Sequence, residues 1–363
     1  MIVSIAIVLS YLGWVSAQVT ALGLVFNVLS DGSITQFQGV IIGTGIVLIY
    51  TLFGGMLSVA YTDTMQMTII VLGFLWIAYL VSEQTGGVAP VIAQAAADGK
   101  FAFFPDYSIV TMITFLAGLL TMGLGSIPQQ DVFQRANASK TASIAVWGSV
   151  LGGLAYLLFA SVPMFITYAA TMIDPAGSQK ILAEDAQLLL PSFVLTHLPL
   201  YAQVIFYGAL LSVIMSTASG TLLAPSVTLS ENVIREFMPN REMSDHQLLT
   251  MTRLVVAGFG VLVGLYALWS LESETTIHEM VANAYKVTLA CAFVPLAAGL
   301  YWKRANNVGA GFSIALGLIV WIAFEFIAPE GVLPPQFAGF FASLAGMIVG
   351  SLASAPPSRE QIA

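Results

Sequence analysis

Four short stretches of this chain combine residue types and spacings that could do chemistry. In the first, Gly123, Gly125, Ser126, Pro128, Gln129 and Gln130 place two glycines, a proline and two amides at the end of an apolar run. Pro128 lacks a backbone donor and clashes with the preceding turn, so a continuous helix is unfavourable there. Open backbone at membrane depth is tolerated only where protein buries it or where it lines a cavity. Broken helices of that kind hold solutes in membrane carriers. The plainer alternative is a span that ends at Ile127 and leaves Gln129 among lipid headgroups. In the second stretch, Ser212, Ser216 and Ser219, with Thr217 and Thr221 beside them, stack hydroxyls on one helical face at spacings of four and three. Neutral oxygens converging with carbonyls suit a hard monovalent cation. The same small residues also serve close helix packing. The third is Gly54-Gly55 followed by SVAYTDTMQ, in which Asp63 opens a helix. An acid at bilayer depth points to function, whereas at a helix start it is also a simple cap. The fourth is Lys286, about nine residues into a helix, with Glu279 and Glu325 as candidate ion-pair partners.

The elements that must position these groups follow from composition. Hydrophobic residues make up 58% of the 363 and charged residues 8%, against roughly 25% charged in a soluble domain. With a mean hydropathy of +0.90, this is an integral membrane protein. A net charge of -8 without any basic run excludes a nucleic-acid partner. No HExxH, CxxC, nucleophile elbow or phosphate loop occurs, and His197, His246 and His278 are scattered in or near loops, so an enzyme reading finds no foothold. Cys291, the one cysteine, sits in an apolar stretch and reads as inert packing.

A hydrocarbon core of about 30 Å needs about 20 apolar residues per helix. On that ruler ten helices are predicted near 2–29, 36–53, 63–82, 108–127, 143–171, 201–224, 247–270, 277–301, 308–328 and 334–354. The runs are too long and too uniformly apolar for barrel strands, so the fold class is all-α and polytopic. Between the spans, residues 83–107 and 181–199 are predicted to be structured loops, the latter a short amphipathic helix ended by Pro199 and able to lid a cavity.

The phrases TLFGGMLSVAYTDTMQ (51–66), IPQQDVFQRANASKT (127–141) and SVIMSTASGTLLAPS (212–226) recur, in this order and at comparable spacing, in the sodium/solute symporter family, which the chain resembles. The nearest branch is the high-affinity choline transporter type. The resemblance implies a LeuT-like core of two inverted five-helix repeats and Na⁺-driven uptake of a small organic solute, with Na⁺ as coupling ion and no other cofactor. It implies that Ser216, Thr217 and the Val213 carbonyl bind the shared Na⁺. Asp63 and Ser219 match a second Na⁺ site of some members, weakened here because Gly220 replaces a hydroxyl residue. Gln129 and Gln130 match substrate-facing positions. Choline-type members carry Trp where Gln129 stands, and an amide lacks the aromatic face that a quaternary ammonium needs, so choline is disfavoured. Lys286 points to an anionic group on the solute.

The resemblance further implies a single transporter domain, 1–363, in which 1–82 is the remainder of the first repeat, 108–301 the second repeat and 308–354 two extra helices. The first two core helices are expected to be absent, and with them the carbonyls facing the Na⁺ hydroxyls. This chain alone is therefore expected not to transport. A non-transporting sensor or structural subunit built on such helices is the alternative, disfavoured because about ten residues follow the last helix.

Lys and Arg concentrate in cytoplasmic loops. Eight of them (Arg135, Lys140, Arg235, Arg241, Arg253, Lys303, Arg304, Arg359) fall on one side and two (Lys100, Lys180) on the other. This places both termini in the cytoplasm. Single cysteines near 140, 241 and 304 should resist an impermeant thiol reagent in intact cells, and those near 98, 180 and 330 should react. Labelling at 241 from outside would overturn the orientation.

Overall fold

The computed structural model describes residues 2–54, 56–105, 107–238, 243–273, 275–329 and 331–356, with no account of the side chains of 56–58. Met1, Arg241, Arg359 and the loop position 330, all used in the orientation argument, lie outside the described residues. Helix is the only regular structure among the described residues. In chain order the helices are α1 Ile2–Leu29, α2 Gln36–Phe53, α3 Met56–Gln84, α4 Val88–Ala97, α5 Ile109–Gly125, α6 Gln130–Asn137, α7 Ala142–Phe159 and α8 Ser161–Ile173. They continue as α9 Pro175–Glu184, α10 Leu189–His197, α11 Leu200–Leu229, α12 Asp245–Glu272, α13 Ile277–Thr288, α14 Val294–Tyr301, α15 Asn307–Ile327 and α16 Pro335–Ala353. Ten stretches among them are long and apolar enough to cross a bilayer, at the ten places the apolar runs mark. The protein is all-α and multi-pass.

Three elements differ from the sequence expectation. Asp63 does not open its helix: α3 begins at Met56, so the carboxylate lies about two turns inside and cannot cap the first turn. The run predicted to stop at 224 continues through Pro225 to Leu229 and passes into a wide π turn at Ser230–Ile234. A second π turn, Leu289–Phe293, precedes Pro295 and joins α13 to α14. The extra residue before Pro295 lets that proline sit in its span without breaking it. The amphipathic helix expected over 181–199 is instead two short helices, because Asp185 accepts from the Gln187 amide at 2.9 Å and resets the chain between α9 and α10. That hairpin is fixed by protein contacts: Tyr207 Oη donates to the Pro191 carbonyl, and Gln203 Nε2 to those of Leu195 and Leu198. The other predicted structured loop carries α4.

Packing groups the chain into two compact units, neither continuous in sequence. One comprises Met1–Ala17, Phe104–Phe133 and Thr221–Ala363, the other Gln18–Phe103 and Gln134–Gly220. In the second, α3 runs against α8 and α11. Gly73 allows the α3–α11 approach, since a methyl group there would lie 2.8 Å from Ile205 Cγ2, and Phe74 packs on Phe206 at 5.5 Å between ring centroids. In the first, α15 and α16 meet along a stripe of small residues. Gly339, Ser343, Gly346 and Gly350 of α16 recur at spacings of four, three and four, and Ser343 shares a hydrogen bond of 2.8 Å with Ser313 of α15. Without a hydrophobic effect between helices in lipid, such backbone approach supplies the attraction. Cys291 is buried beside Ala6, Ala290 and Ile314, in keeping with a packing role.

A methyl group at Gly346 would stand 2.6 Å from the Phe312 carbonyl oxygen, whereas Gly311 has nothing within 4 Å. Gly346→Leu should therefore destabilise the purified protein by about 1–3 kcal/mol, the range for overpacking. Gly311→Leu should be close to neutral. Thermal unfolding in detergent checks the contrast.

Candidate functional site

The first cluster is built on α11. Its middle turns carry Val213, Ser216, Thr217, Ser219 and Gly220. Because Gly73 meets Ile205 near one end of the α3–α11 contact, the antiparallel helices bring Asp63 level with Ser216 eleven residues farther along. Ser216 Oγ donates to Asp63 Oδ1, and Arg135 Nη2 donates to Asp63 Oδ2 at 2.9 Å. Arg135 comes from the last turn of α6, where a cation complements the helix dipole. Ser219 is fully buried and its hydroxyl donates to the Ser216 carbonyl at 3.0 Å. Thus Asp63 and Ser216, expected at two separate ion positions, are bonded to each other. Val213 and Thr217 lie one turn apart on the same helix, both half-buried. The donor set is carboxylate, hydroxyl and carbonyl oxygen, which suits Na⁺ and not a transition metal. These residues all belong to the unit of Gln18–Phe103 and Gln134–Gly220.

The second cluster lies in the other unit, around the break between α5 and α6. Gly125 ends α5 and residues 126–129 turn before α6 starts at Gln130. Pro128 and Gln129 are buried, Gln129 being only 5% exposed, so the break is packed inside protein. Gly125 is required: a methyl group there would lie 2.5 Å from the Tyr285 carbonyl oxygen. Thr288 Oγ1 donates to the Gly125 carbonyl at 2.5 Å, satisfying one of the groups the break frees. On the far side of the turn Asp131 accepts from Tyr11 Oη and its backbone N–H donates back to that oxygen at 3.0 Å. Trp14, one turn along α1 from Tyr11, packs on Tyr285 with ring centroids 4.7 Å apart. Two buried donors here have no hydrogen-bond partner in the structure, Gln129 Nε2 and Trp14 Nε1. Gln130 is half-buried at the head of α6.

Sequence reasoning missed Tyr11, Trp14, Asp131 and Thr288. The available signal was the acid placed immediately after the Pro-Gln-Gln break, and the Tyr-Trp pair one turn apart in α1. Nothing local connects those two.

Lys286 Nζ lies 3.4 Å from Glu325 Oε1, which also accepts from Trp321 Nε1 at 3.0 Å. Glu279, the other candidate partner, closes a capping box with Thr276 instead. The internal ion pair is therefore formed, and it ties α13 to α15.

The fold defines an all-α multi-pass membrane protein with a LeuT-like architecture. A solved Na⁺-coupled sialic acid symporter, in its substrate-bound outward-open state, superposes with a TM-score of 0.74 at 21% identity, covering 98% of this chain and 75% of that one. At that identity the likeness is one of fold. The sodium:solute symporter family profile matches residues 1–317, and the chain belongs to that family. Among relatives, the osmoregulated proline transporter OpuE of Bacillus subtilis is 29% identical over 339 residues, covering 88% of this chain and 64% of that protein. High affinity choline transporter 1 of Homo sapiens is 28% identical over 317 residues, covering 85% of this chain and 53% of its own length.

Lys286→Met would leave Glu325 charged without its cation. Fully buried pairs broken on one side lose roughly 3–5 kcal/mol. With the two side chains 24% and 34% exposed, a loss of roughly 1–2 kcal/mol is expected after discounting for screening. Glu325→Gln added to Lys286→Met should restore most of it, as read by thermal unfolding of the single and double variants.

Proposed function

We propose that this chain forms the greater part of a Na⁺-coupled symporter for a small organic solute, lying in the cytoplasmic membrane with its C-terminus on the cytoplasmic side. The observation that carries the reading is the meeting of Asp63 with Ser216, 153 residues apart, in a fold shared with a Na⁺-coupled symporter. Ser216, Thr217 and the Val213 carbonyl are the ligands of the coupling ion. Each oxygen replaces a water of its hydration shell. Asp63 and Ser219 supply the oxygens of a second position, beside which Arg135 stands. The repeat assignment is 1–82 for the remainder of the first repeat, 108–301 for the second, and 308–354 for two further helices.

For the solute, Gln129 and Gln130 act at the helix break, and Trp14 joins them. The buried N–H groups of Gln129 and Trp14 await an acceptor, since leaving them bare costs free energy. They fit a carboxylate or carbonyl oxygen. Lys286 is paired with Glu325, so the two bring no net charge to this unit, and an anionic group on the solute is argued from the Gln129 and Trp14 donors. A proline-like zwitterion matches this donor set. Choline fits less well, for its quaternary ammonium head accepts nothing and it offers the two donors a single hydroxyl oxygen.

The experiment is uptake of labelled proline and labelled choline into proteoliposomes under an inward Na⁺ gradient. It is run with the chain as given and with a form extended by the two core helices that the family resemblance places before it. Proline uptake that collapses with the Na⁺ gradient supports the reading. Choline uptake, or uptake indifferent to Na⁺, overturns it. In the transporting form Gln129→Ala should weaken the solute about tenfold, the equivalent of roughly 1.4 kcal/mol for one hydrogen bond, with Na⁺ affinity little changed. Thr217→Ala should raise the Na⁺ concentration required for half-maximal uptake.

A further inference from the structure

We infer that Tyr11 is a positioning residue for the solute: its hydroxyl does the work of the N-cap side chain of α6, and so leaves the side chain of Gln129, the residue at the cap position, for the solute. The inference rests on the solute reading of the helix break.

Hydrogen bonding in α6 starts at Gln129, whose carbonyl accepts from the Phe133 N–H at 3.3 Å, while the Gln129 N–H turns back to the Ser126 carbonyl at 3.3 Å. Gln129 is therefore the N-cap residue, and Gln130 and Asp131 are the first two helical positions. An N-cap side chain ordinarily takes up the N–H of the second or third helical residue. Here the N–H of the second, Asp131, goes to Tyr11 Oη at 3.0 Å, and the same phenol donates to the Asp131 carboxylate. The exchange has the two-way form of a capping box, with its hydroxyl supplied by α1, 120 residues away.

Tyr11 is fully buried, so its hydroxyl has protein groups and no water to bond. Gln129 Nε2, by contrast, is buried without a hydrogen-bond partner in the structure. Without the phenol the Asp131 N–H would lose this acceptor, and the side chain that an N-cap position brings over it is Gln129's own. An amide folded back over its helix is lost to the solute. Trp14, one turn from Tyr11 on α1, carries the second unpartnered N–H. The Tyr11–Asp131 clasp thus also fixes the spacing between the donor on α1 and the donor at the head of α6.

Two measurements test this: hydrogen–deuterium exchange of residues 126–133 in the purified chain, and binding of labelled proline to the transporting form. Gln129→Ala should leave the Asp131 amide as slow as in wild type, because Tyr11 still caps it. Tyr11→Phe should speed it little, since Gln129 takes over, and Tyr11→Phe/Gln129→Ala should speed it about tenfold. Proline should bind about tenfold more weakly to Tyr11→Phe, as to Gln129→Ala, with the Na⁺ requirement unchanged. The double variant should be no weaker than either single one, since both changes withdraw the same donor; a hydroxyl that only packs would give additive losses. Tyr11→Phe/Gln129→Asn, with a short amide that caps well, should regain slow exchange and stay weak for proline. Additive losses overturn the inference, as does an Asp131 amide that is fast in Gln129→Ala or as fast in Tyr11→Phe as in the double alanine variant. Should Tyr11→Phe aggregate, Tyr11→Phe/Gln129→Asn decides: a folded protein with a slow Asp131 amide supports the assignment, and aggregation or a fast amide refutes it. If wild type binds no proline, the solute reading fails, while the exchange pattern still decides the cap.

Discussion

Within hydrocarbon, a charged side chain or an opened backbone group has only other protein groups to bond. An acid at the centre of a span costs about 2.5–3.5 kcal/mol on insertion scales even when it is free to find partners. Most of what is distinctive in this chain answers that constraint. Asp63, part-exposed near the start of its span, meets a hydroxyl from α11 and the exposed guanidinium of Arg135 from α6. Lys286 meets Glu325, which in turn takes the Trp321 indole N–H. The helix break at 126–129 is bridged from both sides, by Thr288 on the Gly125 carbonyl and by Tyr11 on Asp131. Apart from Trp321, which lies one turn from Glu325 on the same helix, each partner comes from a different helix, so satisfying the polar groups is also what aligns the spans.

Close approach is the second requirement, and small residues meet it. Gly125 lets α13 lie against the break, Gly73 lets α11 lie against α3, and the α16 stripe lets α15 lie against α16. These contacts set the register in which Asp63 comes level with Ser216, and in which Trp14 reaches Tyr285. Glycine at 220 differs from these in what it accommodates: a charged head group instead of a neighbouring helix.

The two clusters divide the chemistry. Oxygen atoms dominate around α11, and they favour a hard cation. Around the break the groups left without a partner are N–H donors, Gln129 Nε2 and Trp14 Nε1, which favour an acceptor on an organic solute.

By itself the sequence determined the solvent, the class and the number of crossings, because these depend on the length of apolar runs against a fixed bilayer thickness. It also located the break at Pro128, since the missing N–H is a local property, and the ordered phrases around Asp63, Gln129 and Ser216 carried the family. Only the tertiary structure decided which polar groups meet. Asp63 read as the opening residue of a helix because the apolar run seemed to begin there, yet α3 starts at Met56, so the acid lies about two turns in and bonds to α11 and α6 instead of capping. Lys286 had two acids within reach by spacing, and the capping box at Thr276 removed one of them. Tyr11, Trp14 and Thr288 looked like ordinary apolar-span residues until α1 and α13 packed against the break. Partner choice depends on helix register and crossing between helices, with partners 39 to 163 residues apart, and no periodicity within a single helix encodes that.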